Sequence, residues 1–166
     1  ASHRGQPFFF ILDFELQEGV FVLEPLQHHD GSLFFAFPTA KTPDPIGSKG
    51  KLTLTPLPEA PKRYAERFDI IHRGLMRGDS FLTNLTIRTP IETEASLADI
   101  YLSSEATYRV LLPGRFVSFS PECFVKLQGN ELATHPMKGT IDARIPDATE
   151  KLRADYKEGC EHHTIV

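Results

Sequence analysis

The amino-acid sequence predicts an α+β fold made mostly of antiparallel strands with a few flanking helices. Short runs rich in aromatic and β-branched residues recur along the chain, as is typical of strands. Two of the gaps between such runs hold turn-forming pairs, Pro113-Gly114 and Gly129-Asn130. One long helical stripe follows Pro61 and separates the earlier strands from the later ones.

In the first part of the chain, short runs predict three strands. Residues 8–16 are aromatic and apolar and indicate a buried strand, and residues 32–37 indicate a second. The Pro- and Gly-rich segment 42–50 predicts a loop. Residues 51–55 alternate polar and apolar side chains, which predicts a half-exposed strand.

The clearest predicted helix follows Pro61. Tyr64, Phe68, Ile71 and Leu75 fall at helical spacing and form one apolar stripe. Gly78 follows the stripe and supplies a C-terminal stop, because glycine readily adopts the left-handed conformation that ends helices.

The later part of the chain alternates strands and short helices. Residues 80–88 alternate in polarity and predict a strand, and a short helix is expected at Ser96, with Asp99 supporting its first turn. Residues 139–146 predict a loop, after which Asp147 caps a helix carrying Leu152 and Tyr156. Consecutive strands are predicted at 108–112, 115–119, 123–127 and 132–135, and residues 157–166 continue as a helix.

Composition and charge narrow the class of protein. The chain has 166 residues, of which 40% are hydrophobic, which suits one soluble domain or a large piece of one. The formal net charge of −4 argues against a nucleic-acid partner. No apolar run is long enough to span a membrane. Cys123 and Cys160 form no CxxC pair, so we expect two reduced thiols and a cytoplasmic protein.

Two residues near the predicted turn at 129–130 are candidates for acid–base and nucleophilic chemistry. Glu122 precedes one strand of the predicted hairpin and Lys138 follows the other, so both leave the same end of the pair. Gly139 beside the lysine allows a ligand to approach the backbone closely. A surface ion pair or a turn lysine is the structural alternative, and these features alone leave it open.

A third candidate lies near the end of the chain, at Glu161-His162-His163. A glutamate can bind magnesium, which prefers oxygen ligands. Neither an HExxH motif nor a zinc-type Cys/His spacing is present. A solvated, charged helix is the alternative for this segment.

Four segments together resemble the chorismate-binding enzyme family. GDSFLTNLT at 78–86 is similar to the family strand GDx(Y/F)xxNLT, and SPECF at 120–124 matches SPExF. PMKGT at 136–140 is similar to PIKGT, and KEGCEHHTIV at 157–166 to KExAEHxMIV. The order of the four motifs makes the resemblance specific, although residues before Gly78 carry none of it. Within the family, the chain is most like aminodeoxychorismate synthase component I.

The resemblance implies roles for the candidate residues. Lysine at position 138 is typical of aminodeoxychorismate synthases, where its amine attacks chorismate and ammonia then displaces it, whereas relatives that add water or ammonia at C2 usually carry alanine. Glu122 is the expected general acid and Glu161 the expected Mg²⁺ ligand. Substrate binding is expected at Gly139, Thr140 and His162. A glutamine amidotransferase subunit is the expected ammonia donor.

The resemblance also implies that residues 1–166 are the N-terminal portion of an anthranilate synthase component I-like fold, truncated before its C-terminal half. The family continues with DLxRNDL, a Gly-rich substrate segment and a second metal-binding glutamate, so we expect the chain alone to be inactive. Leu82 stands where the family often has glutamine or lysine, so we expect the contact of that side chain to be absent, and Gly159-Cys160 replaces a better helix former and a usual alanine.

Three other interpretations compete with a chorismate-aminating enzyme. One is an anthranilate or isochorismate synthase-type enzyme, against which Lys138 argues. Another is a lysine that forms a Schiff base with pyridoxal phosphate, although no phosphate cradle supports it. The last is a non-catalytic folding or partner-binding module.

Overall fold

The computed structural model describes residues 5–27, 30–80, 82–120, 123, 125–135 and 140–165. As predicted, the fold is α+β, and every strand pair among these described residues is antiparallel. The strands are β1 Phe8–Leu12, β2 Gly19–Leu23, β3 Phe34–Phe37, β4 Ala40–Lys41, β5 Thr55–Pro56, β6 Ile91–Glu92, β7 Arg109–Leu112, β8 Phe116–Phe119, β9 Lys126–Gln128 and β10 Glu131–Ala133. The helices are α1 Pro61–Arg77, α2 Leu97–Ser103, α3 Ala148–Ala154 and α4 Tyr156–Ile165.

The core lies between the β1–β2 hairpin and a four-stranded sheet of order β4-β3-β7-β8. Val22 of the hairpin packs with Phe35 of β3 and Leu112 of β7, and the rings of Phe9 and Phe35 stack 5.7 Å apart. Successive strand residues face opposite sides, so Leu111 lies on the other face of β7, where α2 packs against β7 and β8. Sheet and hairpin therefore form one layered unit with α2.

The β1–β2 hairpin corrects the prediction for residues 8–16. The strand ends at Leu12, and its residues alternate between exposed and half-buried positions instead of being buried throughout. Phe8 and Phe10 lie on the outer face, where Phe8 stacks on Phe21 of β2. Only one face of the hairpin meets the core, because a two-stranded ribbon needs a partner on each side to be fully buried.

Helix α1 confirms the prediction at both ends. Pro61 occupies the start, where its missing N–H costs nothing, and Gly78 ends the helix with a φ of 85°. Its apolar stripe is nevertheless largely exposed, since none of its residues is buried. Tyr64, Phe68 and His72 stack along the helix surface.

Several other predicted elements differ from the structure. Residues 51–54 and 82–88 form no strand, because their alternation lacks a neighbouring strand to pair with in the described chain. Residues 42–50 do form a loop, and the β7–β8 hairpin turns at 113–114 as predicted. The sequence did not predict β2, β4 or β6.

The predictions for the starts of α2 and α3 are confirmed in part. Ser96 and Asp99 form a reciprocal capping box at the start of α2. Asp147 precedes α3 but makes no side-chain cap. Its φ of 57° lies in the left-handed region, whereas a capping residue normally has extended backbone. Tyr156 does not belong to α3, since it begins α4.

Candidate functional site

The predicted hairpin between the two central motifs is present. β9 and β10 pair with Gln128 opposite Glu131 and Lys126 opposite Ala133, and Gly129 takes a φ of 60° in the turn. In sequence, Glu122 lies four residues before Lys126, and Lys138 lies five residues after Ala133. The two strands therefore pair in the direction and register that the prediction of Glu122 near Lys138 assumes.

Glu122, Lys138 and Gly139 themselves lie outside the described residues. Their proximity, burial and contacts therefore stay predictions. Thr140, the next residue of the same motif, is described and is exposed.

A strained backbone residue stands at the entrance to the SPECF motif. Ser120 has a φ of 39°, although it is not glycine and precedes a proline, a position that normally favours extended backbone. Its N–H donates to the carbonyl of Tyr108 at 2.7 Å, which anchors it to the start of β7. Strained residues of this kind occur often at ligand sites, because the surrounding fold must hold them in place. No pattern in the sequence predicted this backbone conformation.

Helix α4 carries the last motif. Asp155 caps it, since its carboxylate accepts from the N–H of Glu158 at 3.0 Å. His162 is exposed, and its ring lies 6.0 Å from that of His163 in an edge-on arrangement. Glu161 lies within α4, but its side chain is outside the described part.

The described residues alone do not fit a resident metal. No three of their His, Cys, Asp and Glu side chains come together in a group that could hold an ion. Glu158, one turn before His162, is already paired with Lys157 at 3.1 Å. Magnesium at Glu161 therefore stays a prediction.

Two general expectations can be compared with the structure. Cys123 and Cys160 are both free cysteines. Among the described helices, none has the length and apolarity needed to cross a bilayer.

One cleft is lined by described residues that belong to none of the four motifs. It measures about 570 Å³ and lies between residues 48–53, 92–95 and the start of α2. Asp99 in its wall accepts from the N–H of Ser48 at 2.6 Å, which lowers the pKa of Asp99, and the hydroxyl and N–H of Ser96 lower it further. Because this carboxylate is fully engaged in holding the loop to α2, it has a structural role.

Comparisons with known proteins confirm the resemblance. Residues 15–166 match the family described as chorismate binding enzyme. The chain is 38% identical over 175 residues to an uncharacterized PabA-like protein of Pasteurella multocida, covering 99% of this chain and 51% of that protein. It is 33% identical over 141 residues to anthranilate synthase component 1 of Streptomyces coelicolor, covering 76% of this chain and 27% of the relative.

A third relative is aminodeoxychorismate synthase component 1 of Escherichia coli, which is 29% identical over 118 residues, covering 63% of this chain and 26% of that protein. No solved structure matches the chain. The chain spans about half the length of the first curated relatives it matches. Because the family match extends over nearly the whole sequence, the chain belongs to the chorismate binding enzymes.

Proposed function

We propose that the protein carrying this sequence combines chorismate with ammonia to give 4-amino-4-deoxychorismate, a step toward para-aminobenzoate and folate. The observation that carries the proposal is Lys138 in the motif PMKGT, where the resemblance implies a nucleophilic lysine. Two relatives, from Escherichia coli and Salmonella typhimurium, are named aminodeoxychorismate synthase component 1. Their similarity supports the same assignment.

In the proposed reaction, the amine of Lys138 attacks the chorismate ring while Glu122 protonates the departing 4-hydroxyl, which leaves as water. Ammonia then displaces the lysine, and the amine is regenerated. A nucleophilic amine must be unprotonated and correctly aimed. The β9–β10 hairpin supports the pairing of these two residues, because its register directs both flanking segments toward its open end.

Synthesis of anthranilate or isochorismate is the second candidate. The observation favouring it is the 33% identity to anthranilate synthase component 1 of Streptomyces coelicolor, which exceeds the identity to the Escherichia coli enzyme. The two candidates differ in where the new bond forms, at C4 or at C2. The identity of Lys138 favours C4.

The proposal includes a partner, a metal and a cellular location. A glutamine amidotransferase would supply ammonia, in keeping with the words "component 1" in the relatives' names. Magnesium would be held by Glu161 and would bind the substrate carboxylate, with Gly139, Thr140 and His162 near the substrate. Two cysteines far apart in sequence and without a CxxC spacing favour reduced thiols and therefore the cytoplasm.

Replacing Lys138 tests the proposal most directly. In the complete protein, Lys138→Ala should lower the rate of 4-amino-4-deoxychorismate formation by several powers of ten, because the covalent route is lost. Lys138→Arg should not restore it, since guanidinium stays protonated. The measurement is product formation from chorismate with ammonia as donor, with anthranilate and isochorismate assayed in the same samples.

Lys126→Ala is the matched control, because Lys126 is an exposed lysine on β9 of the same hairpin. It should retain parental activity. The 166-residue chain alone should form no product. Near-parental amination by Lys138→Ala would show that the lysine is structural, and C2 products from the parental protein would select the second candidate.

Magnesium binding provides an independent test that does not depend on turnover. One carboxylate is a weak site for an ion that gives up its water reluctantly. Calorimetry should therefore detect only weak binding of Mg²⁺ to the 166-residue chain, and stoichiometric binding to the complete protein that Glu161→Gln removes. Tight binding to the short chain that the same substitution abolished would contradict the expectation.

A further inference from the structure

A second cleft, distant in sequence from the family's central motifs, lies between the start of α1 and residues 86–90. Its volume is about 460 Å³, within the range of small-molecule sites. Arg63 and Arg67, on successive turns of α1, line one side of the cleft. Arg88 also lines it, from residues 86–90. We call this the arginine cleft.

One carboxylate organises two of the three arginines. Glu59 Oε1 lies 2.9 Å from Nε of Arg63 and 3.2 Å from a terminal nitrogen of Arg67. The Glu59 side chain is 14% exposed, so this carboxylate is held in the wall of the cleft. Ion pairs of this kind restrict the guanidinium groups, which lowers the entropy cost of a further contact.

The charges of the cleft are not balanced. Among the described residues, its lining contains three arginines and one glutamate and no other charged residue, which leaves a formal excess of two positive charges. Within the described part of the chain, Arg88 makes no ion pair. The N-terminus of α1 adds to this excess of positive charge, because the helix dipole is positive there. Its first turn contains no acidic residue, and Ala60 provides no side-chain cap.

We propose that the arginine cleft binds a small anion of the phosphate class. A phosphate monoester carries about two negative charges at neutral pH and presents three acceptor oxygens. These numbers correspond to the excess charge and to the three guanidinium groups, each of which matches phosphate oxygens with paired N–H donors. A single carboxylate offers one charge and two oxygens and would leave one arginine unmatched. The described residues that line the cleft include none of those assigned to the amination chemistry, so either proposal can fail without the other.

Calorimetric titration of the chain with inorganic phosphate, at neutral pH and fixed ionic strength, tests the proposal. We expect saturable binding that weakens at least tenfold in Arg67→Gln and in Arg88→Gln. Arg88→Lys should bind with intermediate affinity, because it keeps the charge and loses the paired donors. Arg73→Gln is the matched control, since Arg73 is an exposed arginine of α1 that does not line the cleft, and it should bind as the parental chain does.

Thermal unfolding of each variant distinguishes loss of the site from loss of the fold. If Arg88→Gln lowers the unfolding midpoint, the comparison of Arg88→Lys with the parental chain carries the test. Absence of saturable binding, or equal weakening by Arg73→Gln, would overturn the proposal. Equal affinity for succinate and phosphate would also overturn it, because the cleft would then respond to charge alone.

Discussion

Two consecutive hairpins, β7–β8 and β9–β10, share a local design and differ in their surroundings. Each turns at a glycine with positive φ, 71° at Gly114 and 60° at Gly129. The first hairpin continues into a four-stranded sheet, and its Leu111 is 1% exposed. The second forms a two-stranded sheet by itself, and its Leu132 is 64% exposed.

The comparison separates what local sequence determines from what tertiary contact determines. Turn residues and alternating polarity are sufficient to specify a hairpin, whereas burial requires a partner for its apolar face. An isolated two-stranded hairpin is only marginally stable in water. The family motifs at 120–124 and 136–140 flank the second hairpin, so the candidate chemistry is attached to the less packed of the two.

The largest expected difference between the hairpins is in their contribution to stability. Leu111→Ala should lower the free energy of unfolding by about 2–5 kcal/mol, because it removes buried methyl groups and leaves a cavity. Leu132→Ala should lower it by less than about 1 kcal/mol, since the side chain is mostly exposed and its cross-strand partner is Leu127. Urea unfolding followed by circular dichroism measures both. Equal losses would show that the second hairpin is packed in solution.

Alanine substitutions at the two turn glycines, Gly114 and Gly129, should have smaller effects that also differ between the hairpins. A Cβ at either Gly114 or Gly129 would meet no other atom within 4 Å, so substitution by alanine introduces only backbone strain. Strain of this kind costs about 1–2 kcal/mol. Gly114→Ala should therefore lower the global unfolding midpoint, because its hairpin unfolds with the core.

Gly129→Ala should leave the global midpoint unchanged, since its hairpin lacks buried contacts. Its effect should appear locally, as weaker cross-strand nuclear Overhauser effects between Leu127 and Leu132. A global loss of the same size as that of Gly114→Ala would show that the two hairpins unfold together.

Features specified by neighbouring residues were predictable from the sequence. The bounds of α1 follow from Pro61, the apolar stripe and Gly78, and the start of α2 follows from the capping pair of Ser96 and Asp99. The turn at 129–130 was predicted for the same reason. Each signal acts within a few residues, so no knowledge of the remaining fold is required.

Features that depend on distant partners were not predictable. The alternation of polar and apolar side chains at 82–88 is typical of a strand, but a strand exists only where another one pairs with it. β1 is apolar enough to be buried, yet only one of its faces meets the core. In the candidate site, motifs identified residue types and order, but the turn at Ser120 depends on its hydrogen bond to Tyr108, twelve residues earlier.

The smallest expected effect concerns pH and the contacts around the first hairpin. The carboxylate of Asp99 joins α2, which packs on β7 and β8, to Ser48 of the preceding loop. Its pKa is lowered by the N–H of Ser48 first and by the hydroxyl and N–H of Ser96 next. The pKa of Asp142 is lowered mainly by the side chain of Arg144, two residues away in the segment that follows the second hairpin.

Because the folded-state pKa of Asp99 lies below its ordinary value of 3.8, its contribution to stability is present above that value. The contribution is lost as pH falls from 3.8 through the folded-state pKa. The tie to Ser48 spans 51 residues and disappears on unfolding, whereas the contact between Asp142 and Arg144 is local and can persist in the unfolded chain. Unfolding midpoints between neutral and acidic pH should therefore fall less steeply in Asp99→Asn than in the parental chain, and Asp142→Asn should follow the parental curve. If Asp142→Asn instead made the midpoint fall less steeply and Asp99→Asn followed the parental curve, the pH-sensitive contact would be the one between Asp142 and Arg144.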